Sequence, residues 1–467
     1  MTAHSEKNAG FLEDLFVYLK PKMIAMLILG FASGLPLMMV FSKLSFWLKE
    51  VGIDKSTIGF MYWITISYTL KWLWSPMVDR IKLPFIGKRL GQRRSWMMFA
   101  ISGTVVGLLI IGQSNPVEAL WVTLVGAAIL AYSGATLDIA IDAWRIETGE
   151  GTEQGHLAAV YQLGYRFAIM FSGVGLAIAE FYPWSVSFGV MAATMAAIAI
   201  CILFMKEPPH AARRVKESKS PLRAISDAIV EPFGQLIKRL GIWILPVAGL
   251  VALYRLPDFT MGVMASPLYA DLGYSKVVVG GFQSGAGPWL LIIGAFLGGF
   301  CVAKFGVIRA MLIGAPLTFF TTAAYAGLAS LGLPDQADAI RAANDGVLAG
   351  IEPPPNIYLL AAIGADNIAG GFVGTAFIAY LSSLTDPRNA ATQYACLSSL
   401  YAFFCKFAAG FSGVIANAIG YGGLFLLSAS YVFPAALLIL LIIIKGTLAA
   451  KGEERFEPDS AAPDLKT

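Results

Sequence analysis

Residues 134–173 read GATLDIAIDAWRIETGEGTEQGHLAAVYQLGYRFAIMFSG, and this stretch decides the fold. Asp138, Asp142 and Arg145 lie in and just after one long apolar run, and Arg166 lies well inside the next. An ionisable side chain at the centre of a membrane helix costs about 3 kcal/mol on insertion scales, so it is a functional candidate by default. The stretch therefore predicts membrane helices with a charged, functional interior.

The composition of the whole chain indicates a membrane protein. Hydrophobic residues make up 57% and charged residues 14% of the 467 residues, whereas a soluble domain has about 25% charged residues. Four cysteines lie in or beside apolar runs without ligand spacing and are interpreted as packing residues: Cys201, Cys301, Cys396 and Cys405. Only three histidines occur, none deep in a run, and no Ser-His-Asp or metal-ligand spacing is present, which argues against an enzyme. No cofactor and no nucleic-acid partner is expected.

Twelve apolar runs are long enough to cross a bilayer as helices. They cover residues 23–48, 56–76, 95–113, 117–143, 156–179, 184–205, 242–269, 277–302, 308–332, 356–384, 391–418 and 422–445. The first run is too long for a cleavable signal peptide. We predict an all-α polytopic membrane protein in which two pseudo-symmetric six-helix halves, 23–205 and 242–445, are joined by a linker, 206–241. The terminal segments are 1–22 and 446–467.

The basic residues predict the orientation of these spans. Twenty-five Lys and Arg residues flank one side of the predicted membrane and four the other: Lys49, Lys55, Lys276 and Arg341. By the positive-inside rule both termini are cytoplasmic. Residues 224–240 of the basic linker fit either an amphipathic helix on the membrane surface or a solvated connection.

The two halves repeat weakly in sequence. A shift of 221 residues aligns Pro36 with Pro257, Gly52 with Gly273, Lys55 with Lys276 and Gly59 with Gly280. A shift of 240 residues aligns Tyr161 with Tyr401, Arg166 with Lys406 and Gly173 with Gly413. Internal repeats with a binding site between them at mid-membrane recur in secondary transporters.

Charged and polar residues recur at mid-depth and form the candidate site. Asp138 and Asp142 share a helix face with Arg145, and Asp138 lies about 9 Å inside the membrane boundary. A buried carboxylate beside a cation can exchange a proton, so Asp138, Asp142 and Asp258 are the proton-coupling candidates. The substrate-binding candidates are Tyr161, Gln162, Arg166, Arg255, Asp366 and Asn367. The alternative is a closed set of structural ion pairs between these arginines and carboxylates.

A second group of residues is predicted to control access to the site. Asp79, Arg80, Arg93 and Arg94 lie in SPMVDRIKLPFIGKRLGQRR, and a shorter copy, GGFCVAKFGVIR, follows the eighth run. These residues can bridge helix ends and hold the cytoplasmic mouth shut, although ordinary positive-inside charge is the alternative.

Two residues of span 1 and two lysines are the last candidates for a functional role. Gly34 and Pro36 predict a kink that lets span 1 rock, although membrane helices also tolerate Gly and Pro routinely. Lys43 and Lys71 lie near enough to the ends of their runs for the amines to snorkel to the membrane surface, which is what we expect of them.

The chain resembles the AmpG family of muropeptide permeases, within the major facilitator superfamily. The motifs occur in order from about residue 22 to residue 445: GFASGLPL, TIGF, LKWLWSPMVDR, ATLDIAIDAW, AAVYQLGYRFAIMFSG, LYRLPD, DNIAGGFVGTAFIAYL and ATQYACLSSLYAFF. The resemblance implies a monomeric importer in the inner membrane of bacteria that have an outer membrane. It would carry N-acetylglucosaminyl-1,6-anhydro-N-acetylmuramyl peptides into the cytoplasm with protons, for peptidoglycan recycling and β-lactamase induction.

The resemblance also extends to individual residues. Five match the family's own: Asp138, Asp142, Arg166, Asp258 and Asn367. Three keep its charge with a different residue: Arg255, Asp366 and Lys406. Two positions depart from the family pattern. Leu137 occupies a position where the family commonly has Gln, and Lys43 occupies a position where a small polar residue is usual. In this interpretation Arg166 and Arg255 hold substrate carboxylates, and the other binding candidates meet sugar hydroxyls and amides. A carrier of another polar solute and a non-transporting membrane assembly factor are the alternatives.

Overall fold

The computed structural model describes residues 18–149, 153–208, 244–344, 346–348, 350–384 and 390–453. Every regular element within these residues is a helix, as the sequence predicts. Residues 1–17, the linker from 209 to 243 with its possible amphipathic helix at 224–240, and the tail beyond 453 lie outside the described residues.

Ten helical stretches of the described chain are long and apolar enough to cross a membrane. They are Pro21–Glu50, Gln92–Gln113, Leu120–Thr148, Glu153–Phe181, Trp184–Phe204, Leu245–Asp271, Lys276–Phe305, Val307–Ser330, Asn356–Ser383 and Ser412–Ile444. In the numbering of the predicted runs, the first nine are spans 1, 3, 4, 5, 6, 7, 8, 9 and 10. The protein is therefore a multi-pass membrane protein.

The remaining predicted spans are interrupted helices. Span 2 consists of five short pieces: Lys55–Met61, Tyr62–Ile66, Ser67–Leu70, Lys71–Leu73 and Ser75–Arg80. Span 11 begins as Ala390–Ala409 and continues into Ser412–Ser430. Within that last helix Gly420 has φ 74° and ψ 171°, close to the φ 82° and ψ 163° of Gly306 between spans 8 and 9. Glycine adopts this positive φ without steric cost, so Gly420 is the turn from span 11 to span 12, which ends with Val432–Glu453.

The spans form two bundles that meet along three lines of contact. In the first bundle span 3 packs on spans 4 and 6, and span 1 packs on span 5. In the second bundle span 10 packs on spans 8 and 9, and span 7 packs on span 11. Between the bundles, span 5 meets span 8, span 2 meets span 11, and span 1 meets span 7.

Glycines from the sequence repeat form two of these lines of contact. A Cβ on Gly59 of span 2 would lie 2.6 Å from the carbonyl oxygen of Gly410, and one on Gly413 would collide with the backbone of span 2. A Cβ on Gly280 of span 8 would lie 3.0 Å from the carbonyl oxygen of Gly173 in span 5. Because the repeat aligns Gly59 with Gly280 and Gly173 with Gly413, the two contacts are pseudo-symmetric equivalents.

Four ion pairs join the bundles at one end of the molecule. They link Lys49 with Asp271 (3.6 Å) and with Asp338 (2.5 Å), Lys55 with Asp335 (3.2 Å), and Lys276 with Glu50. We call these residues the clamp, and we call the end formed by connections 51–54, 272–275 and 331–355 the clamped end. The opposite end, with the predicted basic connections, is the basic end. Among the described residues, every ion pair between the bundles belongs to the clamp.

The apolar core has the same asymmetry. One continuous cluster of buried side chains joins the first bundle to the clamped half of the second, where it includes Met264, Leu268 and Phe425. A separate cluster fills the basic half of the second bundle, around Tyr254 and Met311. The described structure is therefore closed at the clamped end, and its bundles have separate cores at the basic end.

Asp271 is the centre of the clamp and is fully buried. Its carboxylate accepts hydrogen bonds from Arg341 Nη1 at 2.7 Å and from the Tyr421 hydroxyl at 2.7 Å, and Lys49 Nζ lies 3.6 Å away. Lys49 and Arg341 are buried as well. Removing one partner of a buried ion pair costs about 3 to 5 kcal/mol, because the remaining charge is left uncompensated. Asp271 therefore ties the end of span 1 to the connection between spans 9 and 10 and to span 12.

Asp54 adds a hydrogen-bonded contact at the same end. Its carboxylate accepts from the backbone N–H groups of Ser56 (2.8 Å) and Thr57 (3.4 Å), which open span 2, and from Asn417 Nδ2 of span 11 (2.8 Å). Partial burial raises the pKa of Asp54 and these hydrogen bonds lower it, with a net shift downward. This contact is therefore fully present above the unfolded-state pKa and is lost only as the pH falls through the lowered folded-state pKa.

We predict that removing the charge of Asp271 opens the clamped end. Ser42 is 4% exposed in span 1, so in a chain whose four native cysteines are replaced by alanine, Ser42→Cys should react slowly with a membrane-impermeant maleimide. Adding Asp271→Asn should raise the labelling rate about tenfold or more, the change that about 1.4 kcal/mol of lost closure produces.

The control for this labelling experiment is Glu118→Gln. Glu118 is an exposed acid in another connection at the clamped end, so its neutralisation changes the net charge equally and should leave the rate unchanged. Equal labelling rates with Asp271→Asn and Glu118→Gln would show that Asp271 does not hold this end closed.

Candidate functional site

Four spans of the first bundle bring a charged cluster together around Asp138. Ser33 Oγ of span 1 donates to Asp138 Oδ1 at 2.6 Å and lies 2.6 Å from the Tyr161 hydroxyl of span 5. Lys71 Nζ of span 2 lies 3.6 Å from Asp138 Oδ2 and 3.5 Å from Asp142 Oδ2, both in span 4. We call Ser33, Lys71, Asp138, Asp142 and Tyr161 the Asp138 cluster. Asp138 thus bonds a hydroxyl chain through one oxygen and faces a lysine with the other.

Small residues in spans 1 and 5 make this cluster possible. A Cβ on Gly34 would lie 3.0 Å from the carbonyl oxygen of Tyr165, and one on Gly164 would lie 2.9 Å from the backbone nitrogen of Phe31. The two backbones can therefore approach closely, as small residues allow between membrane helices. This close approach brings Ser33 beside Tyr161.

Pro36 lies inside span 1, just beyond Gly34. A π-helical turn, Met39–Lys43, follows it before the helix resumes at Leu44. Proline removes a backbone donor and weakens the helix locally, and insertions of this kind are common at functional sites. The rocking role of Gly34 and Pro36 stays a prediction.

The expectation that Lys71 and Lys43 snorkel to the membrane surface is wrong. The Lys71 amine points into the bundle because two carboxylates of span 4, Asp138 and Asp142, lie within ion-pair distance. Two tighter 3₁₀ turns, Tyr62–Ile66 and Lys71–Leu73, interrupt span 2 around this residue. Lys43 is fully buried where span 1 meets span 8. Opposite charges at equal depth in spans 2 and 4 were the signal available for Lys71.

Asp142 also makes the local ion pair that its spacing predicts. Arg145 Nη2 lies 3.5 Å from Asp142 Oδ1, and the Arg145 guanidinium lies 5.9 Å from the centroid of the Tyr161 ring. Asp142 is therefore shared between two cations, Lys71 and Arg145, and its role in proton coupling stays a prediction.

The second bundle brings three more predicted residues together. Arg255 Nη1 and Asp258 Oδ2 of span 7 lie 2.6 Å apart, and neither atom has a further hydrogen-bond partner. Asp366 of span 10 lies within electrostatic reach of both. It makes no ion pair or hydrogen bond of its own with the described residues. One carboxylate beside this pair is thus left without a cation.

Arg166, like Asp366, has no ion-pair or hydrogen-bond partner among the described residues. It is half-buried in span 5. Gln162, one turn earlier, is exposed. Asn367 donates from Nδ2 to the carbonyl oxygen of Ile363 in its own helix at 2.8 Å. The alternative of a closed set of ion pairs therefore holds for Arg255 with Asp258 and does not hold for Arg166.

Lys406 brings the second bundle to the Asp138 cluster. Its Nζ donates to the carbonyl oxygen of Thr65 in span 2 at 2.8 Å and lies 5.8 Å from the centroid of the Tyr68 ring. The charges of Lys71 and Asp138 act on it. The analysis of the sequence did not place Lys406 in the site, although the repeat aligned it with Arg166, and that alignment was the available signal.

The predicted gating residues brace the first bundle. Arg93 of span 3 binds Glu147 of span 4 through Nε (3.0 Å) and Nη2 (2.6 Å), and binds Asp79 of span 2 through Nη1 (2.6 Å). Arg94 Nε donates to the carbonyl oxygen of Ile202 in span 6 at 3.1 Å. These contacts bridge helix ends as expected, but all four helices belong to the first bundle. The Arg80 side chain lies outside the described residues, so the gating role of this group stays a prediction.

The fold and the site together define a class of protein. Within the described residues, ion pairs and a continuous apolar core close the two bundles against each other at the clamped end, and both bundles carry charged residues in their interior. Such a molecule has the architecture of a secondary transporter.

Comparison with known proteins places this transporter in a family. The family model described as Major Facilitator Superfamily matches residues 14–339 of this chain. The anhydromuropeptide permease of Escherichia coli K12 is 30% identical over 440 residues, which cover 93% of this chain and 82% of the permease. AmpG 4 of Rickettsia felis is 30% identical over 426 residues, covering 90% and 96%. The chain therefore belongs to the major facilitator superfamily, within its AmpG-type permeases.

Solved structures of the same superfamily show the same fold. The crystal structure of the nucleoside transporter NupG superposes with a TM-score of 0.63 at 13% identity, covering 91% of this chain and 99% of that one. The D-xylose-proton symporter gives a TM-score of 0.57 at 13% identity, covering 88% and 96%.

Neutralising Glu147 should destabilise the first bundle. The Glu147 side chain is 3% and the Arg93 side chain 2% exposed, so Glu147→Gln leaves a buried guanidinium with only one acid and should cost about 3 kcal/mol. Thermal unfolding in detergent measures this loss. Asp79, whose side chain is 48% exposed, provides the matched control, because Asp79→Asn should cost about 1 kcal/mol or less. Equal losses would mean that burial does not set the strength of this brace.

Proposed function

We propose that this protein is a proton-coupled carrier of N-acetylglucosaminyl-1,6-anhydro-N-acetylmuramyl peptides. It imports them by alternating access from the periplasm to the cytoplasm across the bacterial inner membrane, for peptidoglycan recycling. The name of the Escherichia coli relative supports the cargo. β-Lactamase induction follows as a consequence of the cargo's supply to the cytoplasm.

The Asp138 cluster is the observation that carries the proposal. Asp138 is inside the membrane-spanning part of the bundle, yet its side chain is 13% exposed and faces Lys71 and the Ser33 hydroxyl. A carboxylate with one cation and one hydroxyl partner has two stable arrangements, since it can pair with the lysine when charged or stay neutral when protonated. Protonation of Asp138 would release Lys71 toward Asp142. Such a switch couples a proton to a rearrangement of spans 1, 2, 4 and 5.

The cargo binds to the charged side chains that have no ion-pair partner among the described residues. Arg166 in the first bundle and Asp366 in the second have no ion-pair partner among the described residues. An anhydromuropeptide offers carboxylates to a guanidinium, and it offers hydroxyl, amide and amino groups to a carboxylate. Arg255, which already pairs with Asp258 at 2.6 Å, orients that acid beside Asp366 and is a weaker candidate for direct binding.

The distribution of charge supports an orientation for the described conformation. If the basic end is cytoplasmic, as the positive-inside rule predicts, the clamp closes the periplasmic side. The described conformation is then the one that opens to the cytoplasm. Import ends with release of the cargo and the proton from this state.

Asp138→Asn should reduce the proton-driven accumulation of labelled anhydromuropeptide in proteoliposomes about a hundredfold or more. An amide cannot take up the proton, but it keeps the hydrogen bond from Ser33, so exchange of cargo between the two sides should persist. Asp142→Asn is the matched control, because Asp142 also contacts Lys71 but is 38% exposed and has Arg145 as a second partner. We expect less than a tenfold loss from it. Normal accumulation by Asp138→Asn would rule out its role in coupling.

Arg166→Gln should raise the KM for the cargo about 10- to 100-fold, the loss expected when one charge-assisted hydrogen bond is removed. Arg166→Lys should restore part of the affinity. The control is Arg309→Gln, the same substitution at an exposed position of the basic end, for which the KM should not change. A KM that is equally insensitive to both substitutions would contradict the binding role of Arg166.

A further inference from the structure

Lys43 is a buried lysine whose hydrogen-bond partners are all neutral side chains. Its Nζ donates to Gln283 Oε1 and to Ser284 Oγ, both at 3.2 Å, and lies 3.5 Å from Ser42 Oγ. The residue is 1% exposed, and it forms no ion pair with the described residues. Burying a charge without an opposite charge is costly, so this arrangement needs a reason beyond packing.

The Lys43 partners belong to the opposite bundle. Lys43 ends the π-helical turn Met39–Lys43 of span 1, while Gln283 and Ser284 lie in a second π-helical turn, Gly281–Ala286 of span 8. Ser42 adds hydrogen bonds to Gln283 (2.9 Å) and to Ser266 of span 7 (3.1 Å). Two irregular turns thus face each other across the boundary between the bundles, and such insertions in helices are frequent at functional sites.

Lys43 lies directly below the clamp. It is seven residues before the end of span 1 at Glu50, which corresponds to about 10 Å along the helix. If the clamped end opens, spans 1 and 8 have to separate, and the hydrogen bonds from Lys43 to Gln283 and Ser284 have to break. The amine is then exposed in the cavity that forms between the bundles.

We propose that Lys43 is a cargo-binding residue of the state open at the clamped end, where its ammonium group pairs with a carboxylate of the solute. The inference rests on the alternating access of the proposed function. When the bundles close again, the oxygens of Gln283 and Ser284 replace that carboxylate as partners of the amine. The cargo is then bound by the residues deeper in the site.

The neutral character of the closed-state partners is what makes this exchange possible. A protein carboxylate in the place of Gln283 would form a salt bridge with the ammonium group, which an amide oxygen cannot do, and that carboxylate would compete with the cargo. Amide and hydroxyl oxygens satisfy the amine donors when the cavity is closed and yield to a carboxylate when it is open. Lys43 therefore selects anionic solutes at the entrance and does not retain them.

The test compares two cargos in proteoliposomes that contain the full chain. One is labelled anhydromuropeptide, and the other is the same compound with its carboxyl groups converted to carboxamides. Lys43→Gln keeps the hydrogen bonds across the boundary and removes the charge. It should raise the KM for the carboxylate cargo about tenfold or more and change the KM for the amidated cargo less than twofold. Lys43→Arg should keep most of the preference for the carboxylate cargo.

A matched variant separates binding from bundle closure. Ser284→Ala removes one acceptor of the closed state and leaves the charge in place, so it can change the transport rate but should not change the ratio of the two KM values. If Lys43→Gln affects both cargos equally, or neither, Lys43 does not bind the carboxylate. If Lys43→Gln does not accumulate in the membrane, the ratio of the two KM values is measured for Lys43→Arg instead. Because Lys43→Arg keeps the positive charge, loss of its preference for the carboxylate cargo would overturn the proposal.

The controls also distinguish failure of this inference from failure of the proposed function. A wild-type chain that carries both cargos with the same KM overturns the carboxylate-binding roles of Lys43 and Arg166, while transport of the cargo itself stands. A wild-type chain that carries neither cargo overturns the proposed function, and the role of Lys43 falls with it.

Discussion

The pairing of buried charges across the clamp is the interaction on which the rest of the structure depends. Asp271, Lys49 and Arg341 lie where neither water nor lipid can solvate them, so each needs a partner within the protein. The cations of these pairs come from both bundles, and the pairing is complete only when the bundles are in contact. Closure at this end then leaves the opposite ends with separate apolar cores, which is the geometry that a transporter needs.

Interior charges in this protein differ in how completely they are paired, and the groups proposed to be functional are the incompletely paired ones. Arg93 and Glu147 form a bidentate pair that is buried. In the Asp138 cluster Lys71 is shared between two acids at nearly equal distances, 3.6 and 3.5 Å, so it can move from one to the other at little cost. Arg166 has no partner within the described residues, and this is the condition expected of a group that waits for a ligand.

The repeat explains why the two lines of glycine contact exist as a pair. Gly59 and Gly280 occupy equivalent places, and each lets a helix of one bundle touch the backbone of the other. Between these contacts the repeat is broken, because span 5 carries Arg166 where span 11 carries Lys406. Only Lys406 reaches across to the other bundle, through the carbonyl oxygen of Thr65. A shared scaffold with a different cationic side chain in each half allows a site whose two sides recognise different groups.

Local contacts were predictable from the sequence. Residues three apart on a helix are neighbours whatever the fold, so the contacts of Asp142 with Arg145 and of Arg255 with Asp258 can be read from their spacing. The apolar runs predicted the spans, and the motifs predicted the family. The interruption of span 2 was not predicted, since short apolar segments have similar composition whether the helix is regular or broken.

The sequence by itself determined the class of fold, the number of halves and the depth of each charged residue, because hydropathy and helical rise depend only on order along the chain. The tertiary structure alone decided the partners. Lys71, Lys43 and Lys406 all lie in mostly apolar runs, yet Lys71 meets two carboxylates, Lys43 meets an amide and a hydroxyl, and Lys406 meets a backbone carbonyl. These partners lie on other helices, and their identity depends on how the helices pack. A local sequence pattern does not contain that information.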